Sequence, residues 1–531
     1  MPIVAALIAP VALMTGTTSG FAYQNLTQTQ KRLLSASASA FFDPSSDPTT
    51  TGNAPRRATS PMAAISTPGN YLPSSASGCS STIGANTKVN QDCLNLSDPD
   101  LQGRAQAHNE TTIAQDPTNP NHIVASYNDY RRGDGNCYGA YSLNNGTTWT
   151  DTTIPTGFTR GTAFGAAREY WTSGGDTAVA FDTRGNAYFQ CQVFQRGKPT
   201  TNNADVSSAV YVFRSTHNGG ASWNFPGRPV TEFSDPTGLC PLNCLEDKPL
   251  MTVDSTVGSP FQDRIYVTYT EFAKNGTADI YESYSKDYGE TFSKRVLVST
   301  KSSLCPNSVG GVAGNCDVNQ FSDPFVGKDG NLYVAYVNGN NSMGGSANCK
   351  DPGGKPTTCD NHNQVLLSKS TDGGATFSAP VLVANYYEVP DCATYQAGKD
   401  AGRGCVPEKG AGTNSYFRVA NYPSGAVDPR DATHVVVSFG SYISKYSKES
   451  TGCSPAAFAA NGNNLYTGVK TVCNNKILVS SSHNSGASFN GTTTDPRALN
   501  TANQSPAQRT TSQWFQWAAY APDGRFVTSY Y

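Results

Sequence analysis

Nine residues of this chain have side chains that could do chemistry and fall at related places in its pattern: Glu110, Asp129, Arg131, Arg168, Tyr170, Asp176, Asp247, Asp323 and Arg418. Carboxylates accept hydrogen bonds from sugar hydroxyls, move protons, or ligate a hard cation such as Ca²⁺. Guanidinium groups hold a planar carboxylate through paired hydrogen bonds. Together the set suits a glycan, an acidic sugar or a cation; the bland alternative is a solvated channel whose charges satisfy one another and water. Glu246, Glu271, Arg132 and the pair Gln513-Trp514 stand at comparable places. Other chemistries lack their residues. None of the six His is followed by Glu, and there is no G-x-S-x-G and no phosphate loop. No catalytic metal and no cofactor are expected, although a structural Ca²⁺ fits the carboxylates. Arg132-Gly133-Asp134 reads as a β-turn.

The elements that must position these residues repeat along the chain. Five segments fit [ST]-x-[DN]-x-G-x-[ST]-[WF]: Ser142–Trp149, Thr216–Trp223, Ser285–Phe292, Ser370–Phe377 and Ser482–Phe489. Their third, fifth and last positions are Asn144, Gly146 and Trp149; Asn218, Gly220 and Trp223; Asp287, Gly289 and Phe292; Asp372, Gly374 and Phe377; Asn484, Gly486 and Phe489. Asn and Asp share an acceptor oxygen that can close an Asx-turn, so ionisation is not what the third position requires. Glycine supplies a positive φ, and the closing aromatic buries a large apolar surface. These residues are therefore structural. Each segment follows one strand-like run, precedes another, and has a further strand pair upstream. Four-stranded units repeated at about 50 residues point to an all-β fold, a β-propeller, with six blades and the last incomplete in this chain.

The short segment resembles the Asp-box, and residues from about Asn109 to Tyr531 resemble the sialidase-like family of Asp-box (BNR) repeat β-propellers of secreted bacterial type. That resemblance implies a Tyr nucleophile assisted by Glu, an Asp acid/base and three arginines gripping a sugar carboxylate. Arg131, Arg132, Arg168 and Arg418, with the run Arg168-Glu169-Tyr170, are the candidates here. The chain departs from the family in having no [FY]-R-I-P segment and an incomplete last unit, so roles do not carry over residue by residue. The resemblance implies an exo-glycosidase of exo-α-sialidase type acting on terminal acidic sugars. A non-catalytic glycan- or protein-binding propeller, and a polysaccharide lyase, stay open.

In an up-and-down blade the 1–2 and 3–4 turns share one side, and the 2–3 loops and inter-blade links share the other. The second side carries the inserted length, at Gln195–Ser208, Asn338–Asn363, Asn385–Ser415 and Ser441–Asn475. It also carries five close cysteine pairs, Cys240/Cys244, Cys305/Cys316, Cys349/Cys359, Cys392/Cys405 and Cys453/Cys473. Cys79/Cys93 is a sixth close pair, and Cys137 and Cys191 are left to each other. Tying down long loops matters most where shape matters, which makes this the expected binding face.

The fourteen cysteines, without zinc-type spacing, suit an oxidising compartment. So does the apolar stretch Val4–Met14, read as part of a signal peptide over 1–22. Residues 23–107, rich in Ser, Thr, Ala and Pro, read as a flexible leader, and 108–531 as the propeller. The 531 residues carry 38 basic and 40 acidic side chains for a net charge of −2. Without a basic stripe, nucleic acid is not an expected partner. No apolar run past the N-terminus approaches the ~20 residues of a membrane span. The expectation is a secreted monomer that meets a carbohydrate or glycoprotein.

Overall fold

The computed structural model describes residues 25–42, 82–83, 86–90, 108–130, 135–154, 171, 173–194, 208–224, 227–233, 244–342, 362–389, 404–406, 417–447, 454–458, 464–467 and 474–531. The expected signal peptide and the candidates Arg131, Arg168 and Tyr170 lie outside them.

Five four-stranded antiparallel sheets follow one another along the chain. The first is His108–Gln115, Ile123–Asp129, Asn136–Ser142 and Thr150–Thr153. The second is Ser173–Phe181, Ala187–Phe194, Ser208–Ser215 and Arg228–Phe233. The third is Cys244–Val253, Ile265–Ala273, Ala278–Ser285 and Val296–Leu297. The fourth is Asn319–Val326, Leu332–Asn338, His362–Ser370 and Val381–Tyr387. The fifth is Pro423–Asp428, Asp431–Ser441, Lys476–Ser482 and Asn500–Thr501. A sixth sheet holds Trp517–Tyr520 and Phe526–Ser529.

Strand alternation explains why the sheets stack. In the second sheet Phe189 packs with Val124 and Cys137 of the first, while its neighbour Tyr188 packs with Ile265, Val267 and Tyr269 of the third. In the third, Tyr266 packs with Leu332, Val334 and Leu366 of the fourth; there, Tyr333 and Val337 pack with Val435 and Leu478 of the fifth. A strand covered on both faces needs apolar residues at nearly every position. Ile265–Ala273 (IYVTYTEFA) and Leu332–Asn338 (LYVAYVN) accordingly are buried throughout. At Gly139 the fit is too close for a side chain: a β-carbon would lie 2.6 Å from the Ala125 carbonyl oxygen and 2.9 Å from the Phe189 ring.

The five repeated segments connect third to fourth strands. In the first, Asn144 Oδ1 accepts from the Thr148 N–H at 2.9 Å, and Ser142 Oγ accepts from the Gly146 N–H at 2.9 Å. Asp287 and Asp372 make the same bond to Thr291 and Thr376, each at 2.9 Å, and Asn484 makes it to Ser488 at 3.0 Å. In the copy at Asn218 the chain carries one extra residue. The hydroxyl that accepts from Gly220 N–H, at 3.1 Å, belongs to Ser215 rather than Thr216. Gly146, Gly220, Gly289, Gly374 and Gly486 all have φ between +77° and +91°. Phe489 is buried, and Trp149, Trp223, Phe292 and Phe377 are half-buried.

Two of the expected cysteine pairs are disulfides, one close in sequence and one left by elimination. Cys137–Cys191 ties the first sheet to the second across 54 residues, and Cys305–Cys316 closes the link into the fourth. Cys244 is also disulfide-bonded, to a partner outside the described residues. Among the described residues no helix is long and apolar enough to cross a membrane.

Part of the stretch expected as a flexible leader is ordered. Residues Gln28–Leu33 (α1) and Ala36–Phe42 (α2) are short helices, the first closed by a capping box between Thr27 and Gln30. Leu26, Leu34, Ala38, Phe41 and Phe42 bury against Leu245, Phe272 and Ala278 of the third sheet. Gln30 Nε2 donates to the Gly276 carbonyl at 2.8 Å. Helices this short have little stability alone, so the docking surface holds them.

Candidate functional site

The first strand of each of the first four sheets carries the same irregularity near its start. The pairing register slips between Asn109 and Thr112, Gly175 and Ala178, Asp247 and Leu250, and Gln320 and Asp323. Each slip is a β-bulge, with two residues opposite one, and bulges re-aim side chains. The leading bulged residue has a left-handed backbone: Glu110 (φ +52°), Asp176 (+49°), Lys248 (+49°) and Phe321 (+59°). In the sixth sheet, Trp514 exchanges two backbone bonds of 2.9 Å with Tyr531, and Trp517 pairs with Ser529. Phe515, at φ +52°, therefore holds the same place. Tyr422 holds it in the fifth, as the links between sheets show. Thr112 Oγ1 accepts from Val179 N–H at 3.1 Å, Asp323 Oδ2 from Gly425 N–H at 2.7 Å, and Ser424 Oγ from Ala518 N–H at 3.0 Å. In every link the acceptor stands two residues beyond the bulge position, and the donor three.

Six equivalent side chains thus point to one region, on the side of the 2–3 loops: Glu110, Asp176, Lys248, Phe321, Tyr422 and Phe515. They are charged along one arc and aromatic along the other. Asp176, Lys248, Phe321, Tyr422 and Phe515 are each part-exposed between buried neighbours, and Glu110 keeps 35% of its side chain exposed. A non-glycine residue with left-handed φ is uncommon, and for bulky phenylalanines it is a true outlier. Its recurrence at one place in five sheets makes the bulge a repeated feature of the fold that re-aims one side chain per sheet.

The charged arc is a tight network. Lys248 Nζ donates to Glu110 Oε1 at 2.6 Å and to Asp176 Oδ1 at 2.7 Å. The Lys248 N–H donates to Asp176 Oδ2 at 3.2 Å. Asn128 joins the two bulges, donating to Glu110 Oε2 at 2.9 Å and accepting the Asp176 N–H at 2.8 Å. Burial opposes charge on both carboxyls, but the outcomes differ. For Glu110 the Lys248 ammonium, with the more distant Arg418 guanidinium, overcomes burial and holds the carboxyl well below the usual range. Asp176, less exposed and beside the Glu110 charge, is pushed well above it. Lys248 is raised, because its two carboxylate partners outweigh burial. Tyr130, at the exit of the neighbouring strand, is raised by burial and then by the Glu110 charge.

Along the aromatic arc, ring centroids are 6.0 Å apart for Phe321–Tyr422, 6.5 Å for Tyr422–Phe515 and 6.4 Å for Phe515–Tyr531. The leader lies beside the join of the two arcs. Gln320 Nε2 donates both to the Leu33 carbonyl, at 3.0 Å, and to Asp247 Oδ2, at 2.8 Å.

Of the residues named from sequence, Glu110 and Asp176 meet here and Arg418 stands close. The others are placed differently. Asp247 is fully buried one residue before Lys248 and supports the ring from behind. Asp323 is buried and bonds the backbone of the next sheet. Asp129 is fully buried at the end of its strand. Arg418 belongs to Phe417–Arg418, which pairs with Cys405–Val406 ahead of the fifth sheet, not to a first strand. Glu246 is buried, accepts from Thr231 Oγ1 at 3.0 Å, and has its pKa pushed up by burial to about 8. Lys248, Asn128, Tyr130 and the aromatic arc escape a sequence reading that looks for carboxylates at strand starts. Aligning the units two residues before the hydroxyl or carboxylate of Thr112, Asp323 and Ser424 would have found Phe321 and Tyr422; Lys248 and Phe515 are followed at that distance by Leu250 and Trp517, so no such mark points to them. Among the described residues no group of three or more His, Cys, Asp and Glu is placed to hold a metal ion. Between Glu110 and Asp176 the cation is the Lys248 ammonium.

No family model matches the sequence, and no curated protein matches it. Among solved structures the chain is similar to the intramolecular trans-sialidase from Ruminococcus gnavus in complex with oseltamivir carboxylate. That overlay has TM-score 0.42 and 11% identity over 85% of this chain and 94% of that one. It is similar also to the Hadza microbial sialidase Hz136, at TM-score 0.39 and 10% identity over 78% and 61% of the two chains. A third is the α-L-arabinofuranosidase Arb93A from Fusarium graminearum, at TM-score 0.33 and 11% identity over 66% and 73%. These structures are glycosidases; at such scores no residue of theirs is matched to a residue here.

Proposed function

We propose that the chain is a secreted, six-bladed propeller that processes glycans at this ring, as an exo-glycosidase acting on terminal acidic sugars. What supports it is the geometry of Glu110 and Asp176, both bonded to the Lys248 ammonium, at 2.6 and 2.7 Å, where burial and the neighbouring charge disfavour two ionised acids side by side. Two titratable groups whose surroundings drive their pKa values apart divide the labour of acid and base. Asp176, keeping its proton, is the acid for the leaving oxygen. Glu110, ionised, is the base, with Tyr130 beside it as the group it would activate. Arg418 grips the sugar carboxylate; Arg131 and Arg168, the other candidates, lie outside the described residues. No cofactor enters this reading.

With Tyr130 as the attacking group the separation rule for carboxylate pairs does not apply, and retention follows from the covalent intermediate instead. Glu110 and Asp176 both bond one ammonium, at 2.6 and 2.7 Å. The same closeness supports a second reading, in which Lys248 locks the carboxylates as hydroxyl acceptors and the site binds a glycan without cleaving it. Turnover of a fluorogenic sialoside decides. The enzyme reading expects hydrolysis that falls at least a hundredfold in Asp176→Asn and Arg418→Ala. Saturable binding without turnover would establish the second reading instead.

A further inference from the structure

Resting on that reading of the charged arc, we propose that Asn128 is the positioning residue that divides the roles of Glu110 and Asp176. Its amide holds one acid by the side chain and the other by the backbone, and so tells the two apart.

Lys248 does not make that distinction. It bonds Glu110 at 2.6 Å and Asp176 at 2.7 Å, almost symmetrically. Asn128 is different at its two ends. The Asp176 N–H can only donate, so it fixes the amide oxygen, at 2.8 Å, and the amide NH₂ is thereby turned to Glu110 Oε2, at 2.9 Å. Glu110 thus receives a side-chain donor that favours its ionised form, and the Asp176 carboxyl receives none from this residue. The bond to the Asp176 N–H also steadies the left-handed bulge at φ +49°. Gln190 Nε2 holds the other side of the same residue, donating to the Asp176 carbonyl at 2.9 Å.

Two further observations separate this from ordinary packing. Asn128 pairs with Asn109, the residue before the bulge position, and Gln192, Thr270 and Val337 hold the same place in the next three sheets. Val337 shows that the fold itself needs no amide there. The residue that meets Asn128 from the second sheet is Gly175, where a β-carbon would lie 3.0 Å from Asn128 Oδ1 and 3.1 Å from Nδ2. The amide is buried, and a side chain at Gly175 would push it off its line. The charged and titratable groups around the pair are Lys248, Arg418 and Tyr130 beside Glu110, and Lys248 and Asp247 beside Asp176. Asn128 is a neutral donor among them.

Carboxyl ¹³C NMR titration of the full chain tests it, with the two signals assigned through Glu110→Gln and Asp176→Asn. Asn128→Asp keeps the shape and the acceptor but sets an oxygen where Glu110 had a donor. Asn128→Val brings in the residue type that the fourth sheet carries at this place, and circular dichroism melts confirm that each variant is folded. In the wild type Glu110 should titrate below Asp176. Both substitutions should raise the Glu110 midpoint by about one pH unit, the scale of one hydrogen bond to a charged group. Where the fluorogenic sialoside is turned over, kcat should fall about tenfold in Asn128→Asp with KM little changed, and the acid limb should follow the Glu110 midpoint. Wild-type midpoints that coincide, or a Glu110 midpoint that both variants leave in place, would overturn the proposal even if turnover falls. A midpoint that moves as expected in a protein without turnover would uphold it and overturn the enzyme reading.

Discussion

Lys248 is the residue on which the charged arc turns. It donates three hydrogen bonds to two carboxyls, and charge-assisted bonds of this kind are roughly twice as strong as neutral ones. Without it Glu110 loses its nearest cation and two carboxyls face each other. The Glu110 pKa would then rise, since a like charge and burial both disfavour ionisation. In Lys248→Met, kcat/KM on an acidic-sugar substrate should fall at least tenfold, and the acid limb of its pH profile should move to higher pH. Lys248→Arg should restore part of both. A Met variant whose profile overlays that of the wild type would place the chemistry elsewhere. Sequence made Glu110 and Asp176 legible because acids at strand starts are visible by type. It hid Lys248 because Asp247, one position earlier, is the acid that such a search finds first.

At the scale of elements, two features are held by contacts distant in sequence. The leader helices bury Leu26, Leu34, Phe41 and Phe42 against the third sheet. Each large apolar side chain contributes about 1.5–3 kcal/mol when fully buried. A variant lacking residues 25–42 should be destabilised by on the order of 3 kcal/mol or more, and should bind a hydrophobic dye at the uncovered Leu245 and Phe272. An unchanged melting temperature would show that the helices do not dock in solution. The second feature is Cys137–Cys191. Removing it as the pair Cys137→Ser and Cys191→Ser should cost about 2–4 kcal/mol in denaturant unfolding. Reductant should lower wild-type stability and leave this pair variant less affected. The cysteine pairing was reached by elimination, Cys137 and Cys191 being left once the close pairs were drawn, but the docked leader was not legible. Its composition is that of a linker, and α1 and α2 become helical only because Leu245, Phe272 and Ala278 offer a surface to cover.

The whole molecule buries many carboxylates, and their pKa values run the opposite way from those of surface ion pairs. Burial raises Glu246 to about 8 and Glu271, Asp279 and Asp323 to about 7, against only partial relief from Arg295 or backbone N–H groups. In the unfolded chain these groups titrate near 4. The native state thus binds more protons than the unfolded one between about pH 4 and 8. Stability from these groups is fully present below the unfolded values and is lost as pH rises through 7 and 8. Each contributes a slope of up to about 1.4 kcal/mol per pH unit in that window. Calorimetric melts should therefore show a higher Tm at pH 5 than at pH 8, by several degrees. A Tm that is flat or rises with pH would mean that these carboxyls are ionised in the native protein.

From the sequence alone came the four-stranded unit, its repetition, the turn with its acceptor and glycine, the side carrying the long connections, and the Cys305–Cys316 disulfide. These are local properties. Alternation of apolar residues, an Asn or Asp two positions before glycine, and cysteines a short loop apart are all encoded within a few residues of the structure they produce. The tertiary structure alone decided which side chains face the ring. A bulge adds one residue and reverses the alternation beyond it, and its position is set by bonds such as Asp323 to Gly425, made between sheets. For the same reason Phe321, Tyr422 and Phe515 turned up where the pattern suggested Asp323, Arg418 and Gln513-Trp514. Residue type is written in the chain, but the direction a side chain takes at a bulge depends on what the next sheet requires.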